Sequence, residues 1–318
     1  MVKGGVPPMR KKVVVVGMVA AAIASIALLV HIGPRRLEEL SHPRLGSLAE
    51  RIAVVYLQGP IAEGRSPMSA SGVITPRLVS RYLERLEADG SVKAVVLRID
   101  SPGGSVAASQ AIAGMVKEFP KPIVVSMGDI VASGGYYISA PADRIVALPG
   151  TMTGSIGVIT TITDLEGLYE KLGIREQVIK SGKHKDMYRR ALTLEERQIV
   201  QRLSDDAYEQ FVTEVAAARG MPVERVRELA TGELFLGSRA QELGLVDELG
   251  DLDDAVDVAV ELAGVRSPVV YEVPPPAFFG RFWDLVGDIQ GALRTWALSP
   301  DERLLWRLRQ ETVPELRY

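Results

Sequence analysis

Ser133 stands beside Gly134 and Gly135, after an apolar strand-like run and ahead of a helix-like stretch that begins Tyr136-Tyr137. A serine held in a tight strand-to-helix turn can present its hydroxyl as a nucleophile for acyl transfer, provided a base takes the proton. The usual base is scarce. The chain has three histidines, His31, His42 and His184, and no cysteine. The segment Lys180-Ser181-Gly182-Lys183-His184-Lys185-Asp186 offers amines instead. A lysine becomes a base when desolvation favours its neutral form, and enzymes tune such lysines to about 7–8. Ser133 paired with Lys185 or a neighbouring amine therefore points to a serine–lysine hydrolase. The residue pattern alone does not choose among Lys180, Lys183 and Lys185, and a solvated basic loop is the plain explanation for such a run. His184 is a conventional alternative, but Asp186 is too close in sequence to orient it as a triad partner.

An acyl-transfer site also needs donors for the oxyanion. N–H groups at a helix start have no intrahelical partner, so the N–H of Gly134 is a candidate. Losing one such donor costs about 10²–10³ in turnover. A second turn, Asp100-Ser101-Pro102-Gly103-Gly104-Ser105, also joins a strand to a helix, and the N–H of Gly103 is the candidate there. The competing explanations are structural. Ser133 can be an N-cap with glycines for close packing. The Gly103 turn can be an ordinary connection with Ser105 as cap, or a phosphate cradle, although no Gly-Lys-Ser/Thr follows. Thr153-Gly154-Ser155-Ile156-Gly157 adds a hydroxyl able to hold a lysine amine.

The elements that must position these residues read as alternating strands and helices. Ile52–Leu57, Ala94–Ile99, Ile123–Met127 and Arg144–Ala147 are short, β-branched and apolar, with a fifth strand expected within Gly157–Thr163. Helical spacing covers Thr75–Ala88, Val106–Glu118, the stretch through Ser139, Leu194–Arg219, Pro222–Thr231 and Leu252–Ala263. Leu236–Gly250 reads as a short helix and a strand. This rhythm belongs to an α/β protein with buried parallel strands.

Hydrophobic residues make up 47% of the 318, enough for a sizeable core. A net charge of −3 and the lack of an aromatic-basic platform argue against nucleic acid. Val13–Ile32 is free of charge over a length of about 30 Å as a helix, one hydrocarbon core. Lys3, Arg10, Lys11 and Lys12 precede it, while Arg35 and Arg36 are followed by Glu38 and Glu39. A retained anchor is expected, with the N-terminus cytoplasmic and the bulk of the chain outside the cell membrane; a cleaved secretory signal is the alternative. The expected organisation is a cytoplasmic start and anchor over 1–33, a linker over 34–51, a serine–lysine catalytic domain over 52–266, and a Pro-rich boundary with an amphipathic tail over 267–318. The tail's stripe from Phe278 to Trp296 suits packing on the domain or a neighbouring subunit, or a membrane surface.

Four stretches in this order resemble the signal peptide peptidase A family of membrane-anchored serine–lysine proteases: Arg98–Ser105, Ala132–Tyr137, Thr153–Val158 and Lys180–Asp186. The ending Leu245-Val246-Asp247-Glu248-Leu249-Gly250 matches too. The resemblance covers roughly Ile52 to Leu262. It implies Ser133 as nucleophile, Lys185 as base, Gly103 and Gly134 as oxyanion donors and Ser155 as the hydroxyl that orients Lys185. It also implies a fold of repeated ββα units like those of the Clp protease and crotonase. No cofactor or metal follows from it. The implied substrates are signal-peptide remnants, and the implied assembly is a ring-shaped homo-oligomer with active sites shared between subunits. The alternatives are a crotonase-type acyl-CoA enzyme, which shares that fold, and a non-catalytic membrane scaffold.

Overall fold

The computed structural model describes residues 49–64 and 72–274, and the backbone of 316–317. The expected anchor Val13–Ile32 and the apolar stripe Phe278–Trp296 lie outside the described residues. Among the described residues no helix is long and apolar enough to cross a membrane.

Three parallel strands form the centre: β1 (Arg51–Gln58), β2 (Val92–Ser101) and β3 (Ile123–Ala132). Helices α1 (Pro76–Ala88) and α2 (Val106–Glu118) connect them. Each helix starts where a hydroxyl can accept an N–H: Thr75 from Leu78, and Ser105 from Ala108. The strands are apolar on both faces because both faces are covered. Alternation divides β1 between two cores. Ala53, Val55 and Leu57 join the large cluster with α1 and α2, while Ile52 and Val54 pack with α8 (Leu252–Ala263).

Strand β3 forks the sheet. Its first half, Val124–Ser126, pairs in parallel with β4 (Arg144–Ala147), and its second half, Ile130–Ala132, with β5 (Met152–Gly154). The cause lies in the register with β2. Ile99 faces Met127, but Ser101 already faces Val131, so β3 carries extra residues at Gly128–Ile130. Such a bulge bends a strand. The Asp100 carboxylate accepts the N–H of Ile130 at 3.1 Å. A Cβ at Gly128 would come within 2.9 Å of Asp100 Cβ, so the bend admits only glycine. The bent half of β3 ends at Ser133.

The remaining pieces frame this fork: α3 (Gly134–Ser139), β6 (Ile159–Thr160), α4 (Glu166–Lys171), a 3-10 turn at Met187–Arg189, α5 (Leu194–Arg219), α6 (Val223–Leu229), β7 (Leu234–Leu236), α7 (Gly237–Glu242), β8 (Glu248–Leu249), β9 (Val269–Glu272) and β10 (Leu316–Arg317). The eight-stranded sheet runs β7-β5-β3-β2-β1-β9, with β4 and β8 branching from β3. β10 pairs antiparallel with β6. The mixed α/β class is as expected, and α2, β4, α5 and α8 keep their expected bounds. Three differences stand out. β3 runs on past Met127, because the bulge accommodates Gly128 and Asp129 within a strand. The expected fifth strand shrinks to two residues. β5, β7 and β9, at three or four residues each, are too short to show a periodicity.

The Leu245–Gly250 ending is a tie-bar. Tyr136 donates its hydroxyl to Leu245 O at 2.9 Å. The Asp247 carboxylate accepts from Ile145 N at 2.7 Å and from both terminal nitrogens of Arg219 at 2.6 and 3.1 Å. The Arg219 side chain is 8% exposed. Replacing Asp247 with alanine leaves that guanidinium in the interior without its counter-ion, bonded only to Gly244 O, so Asp247→Ala is expected to lower unfolding free energy by about 3 kcal/mol in denaturant titration. A loss below about 0.5 kcal/mol would show the pair to be screened by solvent.

Candidate active site

Ser133 adopts φ 56° and ψ −122°. Among the described residues the only non-glycine positions with positive φ are Ser133 and Ser155, the latter at 50°. Such conformations cost energy and persist where surrounding structure imposes them. At Ser133 the restraints are explicit. Its N–H donates to Gly154 O at 2.8 Å, its carbonyl accepts from Tyr137 N at 2.9 Å, and all of α3 is buried. Its side chain makes no capping bond to α3. An N-cap has extended dihedrals and a hydroxyl bonded to the helix start; Ser133 has neither, so the capping explanation fails.

The two glycine turns touch. A Cβ at Gly134 would lie 2.6 Å from Ser109 Oγ, 3.1 Å from Gly104 N and 3.3 Å from Gly103 Cα, and one at Gly135 would lie 2.6 Å from Ser101 O. The 103–104 turn is itself clamped by the chain leaving β1. Ile61 N donates to Gly103 O at 2.9 Å, and Ser105 N to Ile61 O at 2.8 Å. Gly103 N–H donates to Ser101 Oγ at a long 3.2 Å. Thus the start of α3 and the turn before α2, thirty residues apart, pack directly against each other next to Ser133. Ser155 follows Gly154, the backbone partner of Ser133, and its own N–H donates to Glu233 O at 2.7 Å.

The lysines of the 180–185 segment differ in their partners. Lys180 Nζ lies 2.5 Å from Asp186 Oδ1, and Lys183 pairs with Glu195. Lys185 is exposed. Among the described residues its amine has no hydrogen-bond or ion-pair partner, and none joins it to Ser133 or Ser155. The structure therefore gathers Ser133, Gly134, Gly103 and the Gly154 end of β5 within one chain, and among the described residues joins Lys185 to none of them by a hydrogen bond or ion pair. His184 is occupied by acids: Nδ1 lies 3.3 Å from Glu196 Oε1 and Nε2 3.4 Å from Glu195 Oε1.

Glu196 was not evident as a functional candidate from sequence. It is 2% exposed. Arg190 grips it with two bonds of 2.8 Å, and Thr193 donates through N and Oγ1, both at 3.0 Å. Chiefly the Arg190 guanidinium, and then the Thr193 N–H, hold its carboxyl far below the usual carboxylate range. Lys180 likewise lowers Asp186, and Lys183 lowers Glu195. The legible signal was Thr193-x-x-Glu196, a capping box, which both residues complete. That signal explains a helix start and gives no hint of Arg190.

The Synechocystis sp. protein slr0021 is 44% identical over 223 residues, which are 69% of this chain and 76% of that one. The pattern of Peptidase family S49 matches residues 116–266. This chain belongs to peptidase family S49. The Arabidopsis thaliana chloroplastic serine protease SPPA is 35% identical over 276 residues, 84% of this chain and 40% of that one. Membership bears out the resemblance to signal peptide peptidase A proteases and makes the chain a serine peptidase. It sets aside the acyl-CoA reading. Among solved structures, a ClpP1 point mutant from Listeria monocytogenes overlaps 64% of this chain and 94% of its own at a TM-score of 0.42 and 19% identity, too loose to carry an argument.

Proposed function

We propose that this S49 peptidase is a membrane-anchored endopeptidase working through a Ser133–Lys185 dyad on signal-peptide remnants and other hydrophobic peptides. The observation that carries this reading is Ser133 itself, a strained, non-capping serine whose neighbour Gly134 is pressed against the Gly103-Gly104 turn. Supporting it, Lys185 is the lysine of its segment left unpaired among the described residues, and an amine tied to a carboxylate is held charged and cannot act as a base.

In the proposed cycle the neutral Lys185 amine takes the Ser133 hydroxyl proton. Ser133 Oγ bonds to the peptide carbonyl carbon, and the N–H groups of Gly103 and Gly134 receive the oxyanion. Gly103 must exchange its long bond to Ser101 Oγ for this stronger, charge-assisted one. The protonated Lys185 then donates to the leaving amine as the C–N bond breaks. Water, deprotonated by Lys185, attacks the resulting ester, and Ser133 recovers its proton. Ser155 orients the Lys185 amine. The reading further holds that Lys185 reaches Ser133 from a neighbouring subunit of a ring-shaped homo-oligomer. Val13–Ile32 anchors the chain in the cell membrane, with the catalytic domain on the extracytoplasmic side.

The direct test is mass spectrometry after treatment with a serine-reactive phosphonate. A single adduct on Ser133 is expected, with neither adduct nor peptide cleavage in Ser133→Ala. An adduct on another serine, or cleavage that survives Ser133→Ala, ends the proposal.

A further inference from the structure

The residues on either side of Lys185 are both held by one ion pair, Arg190–Glu196. Before it, His184 Nδ1 lies 3.3 Å from Glu196 Oε1. After it, Asp186 Oδ1 lies 3.3 Å from Arg190 Nη2 and 2.5 Å from Lys180 Nζ. Glu196 belongs to the first turn of α5, whose body is in the core through Val200, Ala207, Phe211, Val212 and Val215. Met187, directly after Asp186, is buried as well. The exposed lysine is thus carried on a short loop tied to the start of α5 directly at His184 and, through Arg190, at Asp186.

We propose that Arg190 and Glu196 are positioning residues for catalysis: their pair fixes the path of residues 184–187 and so aims the Lys185 amine, which neither of them needs to touch. This rests on the Ser133–Lys185 reading. The physical case has three parts. First, the pair is bidentate, with both carboxylate oxygens accepting at 2.8 Å, so it sets direction as well as distance. Second, Glu196 is nearly buried and saturated by donors, which makes its geometry stiff. Third, every other strong charge in the segment is engaged: Lys180 by Asp186, and Lys183 by Glu195. Lys185 is left with no partner among the described residues to draw it away. Misplacing a catalytic group by about 1 Å can cost about a hundredfold, so a loop that carries the base has reason to be clamped on both sides of it.

The capping role of Glu196 can be separated from this one. Glutamine serves in a capping box as glutamate does, so Glu196→Gln keeps the start of α5 while removing the charge that Arg190 grips. Arg190→Met removes the other half without touching the cap. The experiment measures peptide hydrolysis and thermal unfolding for Glu196→Gln, Arg190→Met, the double variant and Lys185→Ala, in the full chain. The expected result for each single variant is a kcat about tenfold to a hundredfold lower, with KM within about twofold; because Arg190→Met leaves the buried Glu196 carboxylate without its cation and lowers the unfolding midpoint, kcat is compared at a temperature where thermal unfolding shows every variant folded. The double variant should lose no more than the worse single one, because both remove the same restraint. Arg190→Lys, keeping charge but losing the fork, should fall between Arg190→Met and the parent.

Unchanged kcat in Glu196→Gln and Arg190→Met overturns the proposal. So does a rise in KM at constant kcat, or multiplicative losses in the double variant. If Lys185→Ala keeps its activity, the dyad reading itself has failed. If Lys185→Ala is inactive while the clamp variants are normal, only the positioning role has failed.

Discussion

Lys185→Ala is expected to abolish peptide hydrolysis, lowering kcat by about 10⁴ or more, the scale on which serine hydrolases lose activity when their base is removed. Lys180→Ala and Lys183→Ala should stay within about tenfold of the parent, since their amines are held by Asp186 and Glu195. The contrast matters because all three amines lie within six residues and look alike as a charge run. A general loss of positive charge would affect the three variants similarly, whereas loss of a base affects one. Sharing of sites between subunits adds a second outcome. Inactive Ser133→Ala mixed with inactive Lys185→Ala, under conditions that exchange subunits, should recover hydrolysis from sites that combine an intact serine with an intact lysine. Activity that stays at zero after demonstrated exchange would place both groups in one subunit. Strong loss in Lys183→Ala with an active Lys185→Ala would reverse the assignment of the base.

Gly134→Ala should lower kcat by about 10²–10³, as expected when one oxyanion donor is lost. Alanine is ordinarily the better helix residue, so the expected damage does not come from α3 itself. It comes from the facing turn. The new methyl would sit 2.6 Å from Ser109 Oγ and 3.1 Å from Gly104 N. Ser109 is fully buried and its hydroxyl donates to Ser105 O at 2.9 Å, so it has little room to move. The start of α3 must back away from the Gly103-Gly104 turn, separating the two N–H groups that are to share one oxygen. Overpacking of this kind also destabilises by about 1–3 kcal/mol, so activity is compared at a temperature where the variant is folded. Removing the nearest obstacle tests the cause. Gly134→Ala combined with Ser109→Ala should recover part of the lost kcat. Full activity in Gly134→Ala alone would show that the donors need not be this close.

Much of the chemistry was legible because it depends on residue type and on near neighbours. A serine before two glycines, between an apolar run and a helical one, marks a strand-to-helix turn. The scarcity of histidine and absence of cysteine narrow the choice of base. The capping residue Ser105, and the helix spans Val106–Glu118, Leu194–Arg219 and Leu252–Ala263, follow from periodicity and cap chemistry acting within a few residues. What only the tertiary structure decided depends on residues distant in sequence. The bulge at Gly128 arises from the side chain of Asp100, twenty-eight positions earlier, and sends the end of β3 toward β5. The closeness of Gly134 to Gly103 and Gly104 is a packing result that no local pattern encodes. The difference among three neighbouring lysines comes from folding the segment so that Lys180 meets Asp186, Lys183 meets Glu195 and Lys185 meets no carboxylate among the described residues, and the hold on the base loop comes from Glu196 on another element. Local order is set by the chain's own next few residues, whereas ion pairing and close approach are set by whichever surfaces folding brings together.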